Sequence, residues 1–226
     1  MRLPAMPGAP LVKKYFFLLL GLFFMGLGVA LVTRSALGTP PISSVPYVVS
    51  LAVPVTFGQL AFLLNVLFLF AEVLIIGQSF PKHQYLQVFV ALFFGIFVDA
   101  GMLIAALLHP DTYPGQVILV LAGCAVLALG VYLQVTAGVI MVPGDGLVKA
   151  IAGKTGVRFG IIKIIFDTSL VGIAAIISLL LFGTVAGIRE GTVISMLLIG
   201  YVVILVGSVS GWSGFEEWLA GEGAGR

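Results

Sequence analysis

The chemistry this chain can offer rests on a few polar side chains embedded in apolar sequence. Asn65, Asp99, Asp145 and Asp167 are the main ones, with Ser43, Ser44, Arg34 and Lys163 close by in the same stretches. A carboxylate in apolar surroundings must be paired, hydrated or protonated, because burying a bare charge is costly. Each aspartate is therefore a candidate for binding a cation or carrying a proton. Lys163 precedes Asp167 by one helical turn, and neighbours four apart with opposite charge pair on a helix surface. That pair reads either as simple neutralisation or as one wall of a site. Asp99 has no basic residue three or four positions away. It reads either as a protonatable, cation-binding group or as a carboxyl held by hydrogen bonds from a neighbouring helix.

Ser43, Ser44 and Asp145 sit in proline-containing breaks, Thr39-Pro-Pro-Ile-Ser-Ser44 and Val142-Pro-Gly-Asp-Gly146. Ser43 or Asp145 could cap a short helix by accepting its free N–H groups. Left free, those groups would instead favour an anion. An aspartate there competes with an anion and a serine pair does not, so one break suits an acidic or neutral hydrogen-bonding group and the other a cation. Arg34, which follows the first span on the outer side, either snorkels to the interface or draws an anion into the outer mouth.

The elements that position these residues must live in lipid. Of 226 residues, 61% are hydrophobic and 9% charged, and the mean hydropathy is +1.24. A soluble domain carries about 25% charged residues. The net charge of +2 is too small to suggest nucleic acid. Cys124, the single cysteine, can form no intrachain disulfide and reads as a small buried hydrophobe. No cleavable signal is expected, because the first apolar run is long and lacks a small-residue cleavage site.

A bilayer-spanning helix needs about 20 apolar residues. Six segments meet that length: 15–33, 57–77, 85–108, 116–136, 159–182 and 189–210. The interruptions at 34–56 and 137–158 each hold a short apolar piece, 45–53 and 147–152, too short to cross. Irregular backbone at membrane depth survives only inside protein or beside a water-filled cavity, so both pieces are expected as re-entrant or broken helices, or else as surface loops. With the N-terminus inside, Arg2, Lys13, Lys14, Lys82, Lys149, Lys154, Arg158 and Arg226 fall on the cytoplasmic side, and Arg34 and Arg189 outside. That bias predicts a multi-pass protein of the cytoplasmic membrane with both termini cytoplasmic. Glu72 is placed near the cytoplasmic end of the second span, reaching water.

The halves resemble each other. Gly28-Val-Ala-Leu31 matches Gly130-Val-Tyr-Leu133 at an offset of 102 residues, which also aligns Pro41 with Pro143, Phe57-Gly58 with Phe159-Gly160, and Asn65 with Asp167. The expected organisation is a single all-α membrane domain over 1–226, with repeat one at 15–108 and repeat two at 116–210. Residues 211–226 form a cytoplasmic or interfacial tail around Trp212 and Trp218. Three crossings per repeat turn the second upside down, the inverted arrangement of many secondary transporters, whose site lies near the midplane between interrupted segments.

The chain resembles the YczE/YyaS/YitT group of bacterial integral membrane proteins. The residues that carry the likeness are Gly-Leu-Gly-Val-Ala-Leu at 26–31, Ala-Leu-Gly at 36–38, Pro41, Pro-Gly-Asp-Gly-Leu at 143–147, Phe-Asp at 166–167 and Gly-Thr-Val-Ile at 191–194. The likeness covers nearly the whole chain before Gly211. It implies a membrane protein and, more weakly, transport, and it supplies no substrate. Arg189-Glu190 departs from the small residues the group's pattern has before Gly-Thr.

The function expected is a small secondary transporter or facilitator for a small polar solute or ion. Asn65, Asp99, Asp145 and Asp167 are its first binding candidates, with Ser43, Ser44, Arg34 and Lys163 beside them. The alternative is a non-transporting membrane subunit that captures a small ligand or partner for an energy-coupling complex. No metal-ligand spacing, nucleotide loop or nucleophile motif is present, so neither a cofactor nor an enzyme is expected. The partners expected are the lipid bilayer and a small polar solute or ion. A homodimer through glycine-lined helices stays open.

Overall fold

The computed structural model describes residues 10–199. Among them every regular element is helical: α1 (Leu11–Arg34), α2 (Pro41–Ser50), α3 (Phe57–Ile76), α4 (Gln87–Ala105), α5 (Tyr113–Ala137), α6 (Pro143–Thr155) and α7 (Phe159–Phe182), then a short apolar helix, α8 (Glu190–Ile199). Among the described residues, five helical segments, built on α1, α3, α4, α5 and α7, are long and apolar enough to cross a membrane. The sixth expected crossing, 189–210, is described only to Ile199, and the expected tail 211–226 lies outside the described residues.

Local chemistry sets the boundaries. Thr56 and Gln59 close a capping box at the start of α3, each side chain bonding the other's backbone N–H at 3.1 Å, which satisfies two donors a helix start leaves open. Gly138, Gly156 and Gly183 end α5, α6 and α7 in the left-handed conformation, where a missing Cβ removes the steric penalty. The short helices begin earlier than the apolar pieces at 45 and 147, on Pro41 and Pro143. Proline suits a first helical position because that N–H has no helical partner in any case. Neither short helix has a side-chain cap. The expectation that Ser43 or Asp145 would cap is corrected here: the prolines move the N-caps to Pro40 and Val142, leaving both side chains inside the first turn.

α1 is the central element, packed against α5 on one side and α4 on the other. Close approach along α1 and α5 is permitted by glycines on both. A methyl added at Gly28 would lie 2.5 Å from the Leu127 nitrogen, and one at Gly130 would lie 2.6 Å from the Gly21 carbonyl oxygen. The pairings run in opposite directions, so the two helices are antiparallel. α2 and α6 each pack against both α3 and α7. The shared apolar cluster holds Phe68, Leu147 and Leu170, with Val45, Leu64 and Phe166 around it. On the outside of α3, Leu63, Leu67, Phe70 and Leu74 form a stripe, each more than half exposed. Spacings of three and four residues put them on one face, a surface suited to lipid.

Candidate functional site

Three charges meet where α6 begins. Asp145 lies in the first turn of α6, where the positive end of the helix dipole favours an acidic group. The Lys163 ammonium, from α7, stands 3.1 Å from Asp145 Oδ1 and 3.0 Å from Asp167 Oδ1. The second contact is an ion pair without the alignment of a hydrogen bond. Two carboxylates around one ammonium leave a formal charge of −1. The three side chains keep 29, 22 and 13% of their surface for Lys163, Asp145 and Asp167 respectively, so the cluster is half-buried. Lys163 also lies 6.0 Å from the centre of the Phe166 ring, within reach of a cation–π attraction. Phe166 in turn meets Phe68 of α3 edge-on at 5.1 Å, which joins the charged cluster to the interface around α2 and α6.

The other sequence candidates are distributed around that interface. Asn65 is buried on α3; its amide nitrogen donates to the Ala61 carbonyl at 2.9 Å, and its side-chain oxygen has no hydrogen-bond partner among the described residues. Ser43 and Ser44 are buried on α2, and the Ser44 hydroxyl donates to the Pro41 carbonyl. Asp99 stands apart from the charged cluster. It accepts the Thr56 hydroxyl at 2.6 Å and the Gly58 N–H at 2.7 Å, so it belongs to the start of α3. Arg34 donates to the Leu108 carbonyl at 2.9 Å and the Ala106 carbonyl at 3.4 Å, beyond the end of α4.

Glu72 differs from its sequence reading. It is 5% exposed rather than reaching water, and Oε2 has no hydrogen-bond partner among the described residues. That oxygen fits against α6 because residue 146 is glycine: a methyl there would lie 2.6 Å from it. The Gln87 amide donates to Gln84 Oε1 at 3.0 Å, while its own oxygen has no hydrogen-bond partner among the described residues. These residues line a cleft of about 500 Å³, with Lys149 and Lys154 on its wall. Pro143-Gly-Asp-Gly146 thus serves two neighbours, Asp145 reaching Lys163 and Gly146 receiving Glu72.

A family model described as a family of unknown function, DUF6198, matches residues 12–207. The chain belongs to that family. DUF6198 therefore takes in every element described above, both short helices included. No curated protein and no solved structure matches the chain. The likeness drawn from the motifs is met at this coarser level, with no named relative tying this DUF6198 member to the YczE/YyaS/YitT group. The residue that sequence reasoning passed over, Glu72, did carry a signal. It follows Asn65 by seven residues, which returns a helix to nearly the same face, and both are buried on α3.

Proposed function

We propose that this protein is a small secondary transporter or facilitator that moves a small polar solute or ion across the cytoplasmic membrane between two inverted repeats. The observation that carries the reading is a single close contact between the first turns of the two short helices. Ile42 of α2 occupies the space in front of Gly144 of α6, so close that a methyl at Gly144 would lie 2.4 Å from its terminal carbon. Those residues are 102 apart, the same offset that relates the half-sequences. Contact between equivalent positions is what a two-fold axis passing close to both would produce.

Further support comes from the same offset. It carries the starts of α1, α2 and α3 at Leu11, Pro41 and Phe57 onto Tyr113, Pro143 and Phe159, where α5, α6 and α7 begin. It relates Gly21 to Gly123 and Gly28 to Gly130, the glycines on which antiparallel α1 and α5 approach. The packing of α2 on α7 is matched by that of α6 on α3. An antiparallel pair related by such an axis is an inverted repeat, and broken helices meeting at the repeat interface mark where transporters hold their cargo. Asn65 and Asp167 then face a shared site from opposite halves, with Asp145 and Lys163 beside Asp167. The charge of −1 in one half and buried serines in the other make the two walls chemically unequal.

Purified protein in liposomes, offered small ions, amines and acids one at a time across a membrane potential, tests this. Saturable uptake of at least one solute is expected, reduced about tenfold, the effect of about 1.4 kcal/mol, by Asp167→Asn or Asn65→Leu. Uptake that ignores both substitutions would remove the site. Uptake only when an ATPase partner is co-expressed would favour the ligand-capturing subunit instead.

A further inference from the structure

We infer that the cleft between α3, α4 and α6 binds a small zwitterion bearing a primary ammonium group, its cationic end toward Glu72 and Gln87 and its anionic end toward Lys149 and Lys154. The inner wall asks for a donor. Glu72 is 5% exposed and Gln87 1% exposed, both line the cleft, and each presents an oxygen with no hydrogen-bond partner among the described residues. A buried acceptor left without a donor carries its full desolvation cost. The side-chain amide of Gln87 already donates to Gln84 Oε1 at 3.0 Å. An ammonium group brings three N–H donors and a positive charge, which suits one carboxylate and an amide oxygen together.

The rim asks for the opposite charge. Lys149 and Lys154 are exposed and line the same cleft. Two ammonium groups at the mouth disfavour a bare metal cation, and a simple anion would leave the inner oxygens unmatched. A ligand with both charges satisfies both ends. The cleft, at about 500 Å³, falls within the usual range for small-molecule sites. Gly146 makes the inner end possible, since any side chain there would fill the space that the Glu72 carboxylate occupies.

Binding here does not depend on translocation, and the test separates the two. Purified full-length protein in detergent is titrated with three series matched in chain length: ω-amino acids, alkylamines and alkyl carboxylic acids. Calorimetry and the shift in thermal unfolding are the readouts. An ω-amino acid of some length is expected to bind about tenfold or more tightly than the amine and the acid of that length. Glu72→Gln should reduce its affinity to that of the acid, and Lys149→Gln, at an exposed position, to that of the amine. Should Glu72→Gln fail to run as a single species on gel filtration, Lys149→Gln decides alone. The inference is overturned if no ω-amino acid outperforms its matched compounds, or if the folded variants bind as the wild type does. Zwitterion binding without flux in liposomes would instead count against transport.

Discussion

Asp99 shows how a carboxylate among apolar residues can be spent on architecture. Both of its oxygens are engaged, one by a hydroxyl at 2.6 Å and one by a backbone N–H at 2.7 Å, and both donors lie in the first residues of α3. It thereby adds an acceptor from α4 to a helix start that Thr56 and Gln59 already cap. Hydrogen bonds to a charged group contribute about 1.5–3 kcal/mol each. Asp99→Ala should therefore lower the thermal unfolding midpoint in detergent by several degrees, and Asp99→Asn, which keeps one acceptor, by less. Equal midpoints for wild type and Asp99→Ala would show that α3 starts without it. The Thr56–Gln59 capping box went unread in the sequence although its partners lie only three residues apart. That a neighbouring helix could hold Asp99 was one of its two sequence readings, but not which residues would do so, since they are more than 40 residues away in the chain and spacing carries no information at that range. The same holds for Asp145 and Lys163, which sit on different helices, whereas Lys163 and Asp167 could be paired from their single turn of separation.

At the level of elements, the glycines decide how close α1 and α5 can lie. A methyl at Gly28 would stand 2.5 Å from the Leu127 nitrogen and 2.6 Å from its Cβ, inside any tolerable contact. Replacing glycine by alanine in a helix gains about 0.5–1 kcal/mol from backbone entropy. Overpacking costs about 1–3 kcal/mol, so at Gly28 the loss should win. Gly28→Ala is expected to destabilise the protein, while Gly172→Ala, where nothing lies within 4 Å, should be neutral or slightly stabilising. Thermal unfolding of the two side by side checks the sign, and an equal gain at both positions would mean the helices do not touch there. Helix positions were readable because an apolar run of spanning length has few alternatives. The start of each short helix was not placed correctly, because hydropathy follows the apolar piece while proline geometry fixes the first turn several residues earlier. Burial of Glu72 was hidden for a related reason: position along a helix suggests exposure only until the neighbouring helix is known, and here α6 covers it.

For the whole molecule, charge and packing make a joint prediction about sidedness. The segment joining α3 to α4 carries Lys82, the last turn of α6 carries Lys154 and the segment after it Arg158, while the segments joining α4 to α5 and α7 to α8 carry His109, Asp111 and Arg189. On the orientation proposed above, retention of lysine and arginine on the cytoplasmic side puts the first set there. In that arrangement α6 both leaves and returns to one face, while α5 and α7 cross. Cys124 is the only thiol in the chain and is buried, so single cysteines in a Cys124→Ala background report one site at a time. Lys82, Asp111, Lys154 and Thr184 are exposed. In intact cells, a membrane-impermeant maleimide should label the Asp111→Cys and Thr184→Cys proteins at once. The Lys82→Cys and Lys154→Cys proteins should react only after permeabilisation. The mirror-image pattern would reverse the orientation and keep the fold. Labelling of the Asp111 and Lys154 positions from the same face would mean that α5 does not cross, or that α6 passes through rather than turning back, and either would remove the inverted repeat on which transport rests.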